Sequence, residues 1–160
     1  MKTMQTSSLT LVIALLLLPV LQARAQQEQK WAEEDTIFPR GEKIENDHFN
    51  GAAWVSFLIR GDSTNQTSVG NVTFEPGART NWHSHPAGQI ILATGGVGYY
   101  QEKGSPRRVL RKGDAVKCPP NVPHWHGASP DQAFVQIAIT GREHGPTEWL
   151  RPVSEEEYHR

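Results

Sequence analysis

From Ala52 to Thr140 the chain is a succession of short apolar runs, each closed by Gly, Pro, Asn or Asp. These runs are rich in β-branched and aromatic residues and show no helical period, which is typical of strands. The turn sequences between them, such as EPGA, HPAG, KGSP and SPDQ, are short, so neighbouring strands are expected to be antiparallel. A parallel sheet would need longer crossovers. The pattern therefore predicts an all-β sandwich or barrel.

Strand boundaries follow from where each apolar run begins and ends, and the sequence TGG at 94–96 is interpreted as a turn between two strands. Near the C-terminus, Ser154 precedes an acidic run. Serine is a preferred N-cap and acidic side chains favour the first helical turn, so a short terminal helix is expected there. The predicted strands cover Ala52 to Arg60, Val69 to Phe74, Thr80 to His85, Gln89 to Thr94, Val97 to Glu102, Arg107 to Leu110, Ala115 to Lys117, His124 to Gly127 and Ala133 to Thr140.

The first 25 residues have the composition of a signal peptide. They begin with basic Lys2, continue with an apolar core from Leu9 to Leu21, and end in a small-x-small cleavage pattern at 23–25. Pro19 and the shortness of the apolar core favour cleavage over a membrane anchor. We therefore predict a signal peptide at 1–25, an N-terminal extension at 26–51 and one domain at 52–160. The expected location is secreted or periplasmic, with no membrane attachment after cleavage.

Charge and cysteine content restrict the possible partners. The chain has 16 Lys and Arg against 17 Asp and Glu, mixed along its length, so no basic patch for nucleic acid is expected. Cys118 is the only cysteine and has no disulfide partner within the chain. We interpret Cys118 as a small packed residue, because no base is placed beside it. A small-molecule substrate is the expected partner.

Four potential metal ligands stand in two separated segments of the chain. His83 and His85 are two residues apart, so on a strand both imidazoles point to one side. Gln89 opens the next apolar run, and His124 comes from a later segment. Three neutral imidazoles and a carboxamide oxygen suit one divalent first-row metal. Mn or Fe is expected if water completes an octahedron, and Zn if the site is tetrahedral.

The spacing of these ligands resembles the first cupin motif, in which glycine, His-X-His, a glutamate and a second glycine follow at fixed intervals. Gln89 stands where the family prefers glutamate. The second cupin motif is matched less completely, with Asn121 in place of glycine and Ala128 in place of asparagine. The resemblance implies a single-domain double-stranded β-helix, or jelly roll, with a metal in the barrel mouth, and a homodimer. The matching positions are Gly77, His83, His85, Gln89 and Gly96 in the first motif, and Gly113, Pro119 and His124 in the second.

Three longer runs, VTFEPGARTNWHSHPAGQ, PHWHGASP and EWLRPVSEEEYHR, are similar to small bacterial cupins that include manganese-dependent hydroxynitrile lyases. The resemblance implies Mn as the favoured metal and cleavage of a cyanohydrin to an aldehyde and cyanide. His126 is the acid/base candidate, because it shares a strand face with His124. Thr80 is expected to line the same cavity and donate a hydrogen bond. Gln136 falls where some of the lyase-like relatives carry a histidine, so the resemblance implies that one polar contact differs from theirs.

Two other functions remain open at this stage. A quercetinase-like oxygenase would use the same three histidines to hold redox-active Fe, Cu or Mn. A non-enzymatic cupin that captures a small ligand or metal is also compatible with the sequence. The lyase is preferred because the HWH sequence supplies a base that an oxygenase needs less.

Strand alternation also predicts the roles of three neighbours of these residues. Trp82 and Trp125 each sit beside a ligand histidine and should point to the opposite face, as core residues packed against a second sheet. Arg79 has opposite parity to Thr80 and is therefore expected to be an outer, surface arginine.

Overall fold

The computed structural model describes residues 37–160, so the predicted signal peptide and the first part of the predicted extension lie outside the described residues. Within 37–160 the chain forms antiparallel strands that curl into a jelly roll, with one short C-terminal helix, and the predicted fold class is confirmed. No described helix is long and apolar enough to cross a membrane. The elements are β1 Glu42–Lys43, β2 Phe49–Asn50, β3 Ala53–Ile59, β4 Ser68–Phe74, β5 Arg79–Thr80, β6 His83–Ser84, β7 Gln89–Glu102, β8 Arg108–Arg111, β9 Ala115–Cys118, β10 His124–Ala128, β11 Phe134–Thr140, β12 Glu148–Trp149 and α1 Glu155–His159.

The strands form two walls that share β7. One wall has the order β1-β3-β4-β11-β7-β9, and the other has β2-β5-β10-β7-β8. Two further strands extend the second wall, because β6 pairs with β10 and β12 pairs with β6. Both β1 and β2 come from the part of the chain interpreted as an N-terminal extension, and each is hydrogen-bonded into a wall.

The interpretation of TGG as a turn is wrong, because β7 runs unbroken through it. The strand passes from one wall to the other at this point, and the pairing register with β11 shifts between Val135 and Gln136. Gly96 has φ +68°, and a Cβ there would lie 1.8 Å from the carbonyl oxygen of Ala133. Glycine is therefore needed at this bend within β7, because the residue is in the left-handed conformation and its backbone lies close to that of Ala133.

The apolar core lies between the two walls. Side chains alternate between interior and solvent along β7, where Ile91 is buried and Leu92 is exposed. Phe74, Phe134 and Leu110 fill the same interior from other strands. Burying each such side chain stabilises the fold by about 1.5–3 kcal/mol. The polar residues of the predicted site occupy inward positions in the same alternation, so they share this buried interior.

A second apolar cluster lies on the outer face of the β5-β6-β10 wall, under α1. Trp82 and Trp125 are buried there with Val153 and Tyr158. Their prediction as core residues is confirmed, but α1 rather than a second sheet covers them. The helix begins at the predicted cap, where the Ser154 side chain accepts from the backbone N–H of Glu157 and the Glu157 carboxylate accepts from that of Ser154.

Arg79 was expected on the surface, and this expectation is wrong. Its side chain does point outward from the wall, but α1 covers it and leaves it only 3% exposed. The guanidinium donates to the Glu155 carboxylate and to the carbonyl oxygen of Val153, and it lies 4.3 Å from the Tyr158 ring. The bond from Arg79 lowers the pKa of the Glu155 carboxyl. Arg79 therefore fastens the helix to the barrel.

Candidate metal centre

Three of the four predicted ligands converge at one end of the barrel interior. His83 lies on β6, His85 follows it, and His124 opens β10, where it pairs directly with His83. One ligand nitrogen from each lies within 4.8 Å of the other two. All three imidazoles are buried, with exposures of 1%, 4% and 0%. The two segments that were separated in sequence thus supply a group of histidines that could hold one metal ion.

Each of these imidazoles is oriented by a hydrogen bond at Nδ1. The Nδ1–H of His83 donates to the carbonyl oxygen of Asn81, and that of His124 donates to the carbonyl oxygen of Val122, both at 2.9 Å. In His85, Nδ1 is hydrogen-bonded to the hydroxyl of Thr147 at 3.2 Å. With Nδ1 engaged, Nε2 is the nitrogen that remains for a metal, which is the usual arrangement at metal sites.

The remaining acceptors of this group fit a cation. Among the described residues, Nε2 of His85, Nε2 of His124 and Oε1 of Gln89 have no hydrogen-bond partner although all three atoms are buried. Buried polar atoms are paired in the great majority of cases, so several unpaired acceptors at one place are what a metal-binding site would show. The Nε2 of Gln89 donates to Oγ1 of Thr140 at 2.9 Å, which leaves Oε1 as the amide atom that could contact a metal ion. Gln89 also lies close to His85, where it raises the pKa of that imidazole against the larger lowering caused by burial. The donor set of the predicted site therefore suits a divalent first-row ion.

The electrostatics of the group favour metal binding over protonation. Burial lowers the pKa of His83 well below its ordinary value, and the neighbouring His124 and His126 lower it further. Burial and then His124 lower the pKa of His85 to about 3. Burial likewise lowers the pKa of His124. The imidazoles are consequently neutral near pH 7, and a cation can bind without displacing protons from them.

His126 and Thr80, the predicted acid/base and hydrogen-bonding residues, lie next to the histidine group. The His126 ring is 5.2 Å from the His83 ring, and its Nδ1 has no hydrogen-bond partner within residues 37–160. Phe74 contacts it edge-on at 5.7 Å. The Thr80 hydroxyl accepts from the backbone N–H of His126 at 3.2 Å. Thr80 thus holds the strand that carries His126, and its own hydroxyl hydrogen stays available to a ligand.

Gln136 projects into the interior from the opposite wall. It pairs with Ala93 and Val72 on inward positions of β7 and β4, and it is 0% exposed. Both atoms of its amide lack a hydrogen-bond partner in the described part of the chain. A buried carboxamide with neither donor nor acceptor satisfied costs about 1–3 kcal/mol for each group. Gln136 therefore offers an unpaired donor and an unpaired acceptor to the barrel interior.

Sequence reasoning missed three residues that contact this site. Thr147 orients His85, the Trp149 ring lies 4.8 Å from the His83 ring, and Phe49 lies 5.9 Å from Trp149. Phe49 and Trp149 belong to two-residue strands far apart in the chain. No local pattern marks them, and only the pairing of β2 with β5 and of β12 with β6 brings them to the site.

A jelly roll whose inward histidines and glutamine surround a metal-binding position defines the cupin class of proteins. The chain belongs to the cupin family, and its residues 70–140 match the Cupin_2 family, described as the cupin domain.

Among individual proteins, the chain is 38% identical over 115 residues to an (R)-mandelonitrile lyase from Granulicella tundricola. The match covers 71% of this chain and 88% of that protein. A cupin-like protein of known structure from Thermotoga maritima is 55% identical, with a TM-score of 0.74, over 78% of this chain and 96% of its own. The polyketide cyclase RemF from Streptomyces resistomycificus is 17% identical with a TM-score of 0.59, over 78% of this chain and 90% of its own, and shares the fold.

Proposed function

We propose that this chain is a metal-dependent lyase of the hydroxynitrile type, which cleaves a cyanohydrin to a carbonyl compound and hydrogen cyanide and also catalyses the reverse addition. The observation that carries the proposal is the set of buried, unpaired polar atoms that the two walls direct into the barrel interior. His85, His124 and Gln89 offer ligand atoms, while His126 and Gln136 offer unpaired groups for a substrate. The identity with an (R)-mandelonitrile lyase supports the same chemistry.

The bound metal would supply Lewis acidity to the substrate hydroxyl, which makes its proton easier to remove. His126 takes that proton at Nδ1, since this atom is unpaired and its ring lies beside the His83 ring. The bond between the carbinol carbon and the nitrile carbon then breaks, and the electron pair leaves with cyanide. His126 returns the proton to cyanide, so the reaction needs no oxidant and no other co-reactant.

Gln136 binds the leaving group in this proposal. Its Nε2 is a buried donor without a partner among residues 37–160, and a nitrile nitrogen that becomes cyanide gains negative charge as the bond breaks. A donor fixed at that position stabilises the developing charge. Thr80 keeps β10 in place through its bond to the His126 backbone. All of these groups are buried, and a lower local dielectric strengthens each of these interactions.

Manganese is the proposed metal, with iron or zinc as the alternatives. A neutral set of three imidazoles and one carboxamide oxygen leaves the full charge of a divalent ion available to the substrate. Elemental analysis of the purified protein tests the site itself. The His83→Ala variant is the control, and we expect it to lose the stoichiometric ion that the wild-type protein carries.

Turnover with and without oxygen separates the lyase from the oxygenase. Manganese-loaded protein is mixed with mandelonitrile in air and under nitrogen, and released benzaldehyde and cyanide are measured. We expect equal rates in both atmospheres and a large loss of rate in His126→Gln protein that still holds its metal. Strict dependence on oxygen would instead identify a quercetinase-like oxygenase, and absence of turnover in metal-loaded protein would favour a binding module.

Export and self-association stay predictions from the sequence. A secreted or periplasmic location is tested by the N-terminus of the mature protein, which should begin after residue 25. A homodimer follows from the family resemblance and from strands at open sheet edges, which can pair with another copy. Sedimentation equilibrium of the mature protein measures its mass directly.

A further inference from the structure

A groove of about 910 Å³ lies on the outer side of the wall that carries the ligand histidines. Trp82 and Pro123 line it, and each of them directly precedes a ligand histidine in the chain. Val109 on β8 and Leu150 after β12 add apolar side chains that are 48% and 46% exposed. We call the cavity between these four residues the outer groove. Its volume is typical of small-molecule sites.

The outer groove and the barrel interior lie on opposite faces of the same wall. The backbone N–H of Leu150 donates to the carbonyl oxygen of Trp82, and that of Lys103 donates to the carbonyl oxygen of Pro123, both at 2.8 Å. Trp82 belongs to the cluster outside the barrel, whereas the histidine that follows it turns inward. A molecule in the groove is therefore separated from the ligand atoms by the wall itself.

Cationic side chains dominate the lining of the outer groove. Glu157 supplies the one carboxylate side chain among the described residues that line it. That carboxylate is already paired, because the two terminal nitrogens of Arg151 donate to its two oxygens at 2.8 and 2.6 Å. The groove consequently carries an excess of positive charge. The cationic residues that line it are Lys103, Arg107, Arg151 and Arg160.

Two of these cations have no carboxylate partner within residues 37–160. Arg107 donates to the carbonyl oxygen of Tyr158 and lies 4.0 Å from the Tyr99 ring, so neutral groups hold it in place. Lys103 is exposed, and no acidic side chain of the described residues forms an ion pair with it. A guanidinium that is already positioned offers its remaining N–H donors to an anion at a low entropic cost.

We propose that the outer groove is a second binding site, which takes a small organic acid with an apolar body. The carboxylate of this ligand contacts Lys103 and Arg107, and its alkyl chain covers Val109 and Leu150. Charge complementarity selects an anion, and burial of the exposed apolar side chains supplies the affinity. The proposal goes beyond the proposed function, because no metal ligand or acid/base residue takes part in it.

Three probes separate the two parts of this recognition. Octanoate has a carboxylate and an alkyl chain, acetate keeps only the carboxylate, and octylammonium keeps the chain with a positive charge. Dissociation constants are measured by isothermal titration calorimetry. We expect octanoate to bind at least about fiftyfold more tightly than acetate, which corresponds to ~0.8 kcal/mol for each of three buried methylene groups. Octylammonium should bind at least about tenfold more weakly than octanoate, and high salt should reduce that difference.

The variants locate the bound probe. Lys103→Glu reverses one charge of the outer groove and Leu150→Ser removes one apolar side chain, so each should weaken octanoate binding by about threefold to tenfold. Val109→Ser replaces Leu150→Ser if that variant does not fold, as judged by circular dichroism. Lys117→Glu is the matched control, because Lys117 is an exposed lysine on β9 outside the groove. We expect it to bind octanoate as the wild-type protein does.

Metal dependence separates this site from the barrel interior. Manganese-loaded and manganese-free protein should bind octanoate within about threefold of each other, since the two sites share no residues. Binding that requires manganese would place the carboxylate on the metal and overturn the proposal. Octanoate binding that is unchanged in Lys103→Glu and in the serine variant would also overturn it. Failure of octanoate to bind, with loss of self-association in Leu150→Ser by sedimentation equilibrium, would instead assign the groove to an interface between copies.

Discussion

The hydrogen bond from Gln89 to Thr140 allows us to predict how much metal affinity is lost when Thr140 is substituted. Thr140 is 4% exposed, and its Oγ1 accepts from Nε2 of Gln89 at 2.9 Å. Thr140→Val replaces the hydroxyl by a methyl group of similar volume, so the buried Nε2 loses its acceptor. The unpaired donor costs about 1–3 kcal/mol in the metal-free protein. Because the amide is also freed to turn its nitrogen toward the ion, we expect metal affinity to fall about 10- to 100-fold.

Competition with a chromophoric chelator measures that affinity, and urea unfolding with and without manganese measures the linked stability. With saturating metal, a 10- to 100-fold weaker site reduces the stabilisation by metal by about 1.4–2.7 kcal/mol. Thr73→Val is the matched control. Its hydroxyl is buried without a partner among the described residues, and it lies on the outer side of β4 opposite Val135. If Thr140→Val binds manganese as tightly as Thr73→Val, Gln89 is not oriented as a ligand.

Three further predictions concern stability. Since the His85 pKa is about 3 in the folded protein and about 6.5 when unfolded, the unfolded chain alone takes up a proton as pH falls below 6.5. Metal-free protein should thus lose about 2 kcal/mol between pH 8 and pH 5 from His85, and a flat profile in urea unfolding would contradict the shift. Arg79→Leu should cost about 2–3 kcal/mol by thermal unfolding because the buried guanidinium fastens α1, whereas Glu155→Gln, on a carboxylate 70% exposed, should destabilise the protein clearly less; equal losses would show that the ion pair with Glu155 accounts for the stabilisation. Gly98→Ala would bring a Cβ to 2.4 Å from the Phe134 ring and should destabilise the protein by about 1–3 kcal/mol, and wild-type stability would mean that the ring has room to move.

The histidine group could be predicted from sequence because short-range spacing determines most of it. His83 and His85 are two residues apart on one extended segment, so their shared face follows from strand geometry. His124 could be assigned as a ligand only from its position in the second cupin motif, because it lies in a separate segment of the chain. The short turns between apolar runs likewise indicated antiparallel strands. These features depend on neighbours in the sequence, which is where pattern arguments are strong.

What could not be predicted depends on contacts between distant segments. The outward direction of Arg79 followed from alternation, but its burial depends on α1, which lies more than seventy residues further along the chain. The two strands predicted on either side of TGG are one strand, because a pair of glycines allows a bend as readily as a turn. Phe49 and Trp149 reach the site through pairings between two-residue strands, and no periodic pattern extends over so few residues.

The hydrogen bonds that orient the three imidazoles differ in how sensitive they are to amino-acid substitution. His83 and His124 take their orientation from main-chain oxygens, which every amino acid supplies, so substitutions at 81 and 122 leave those anchors chemically intact. His85 relies on a hydroxyl side chain at 147. We therefore expect that substitution of Thr147 alone can change metal affinity, although every residue of the two cupin motifs stays the same.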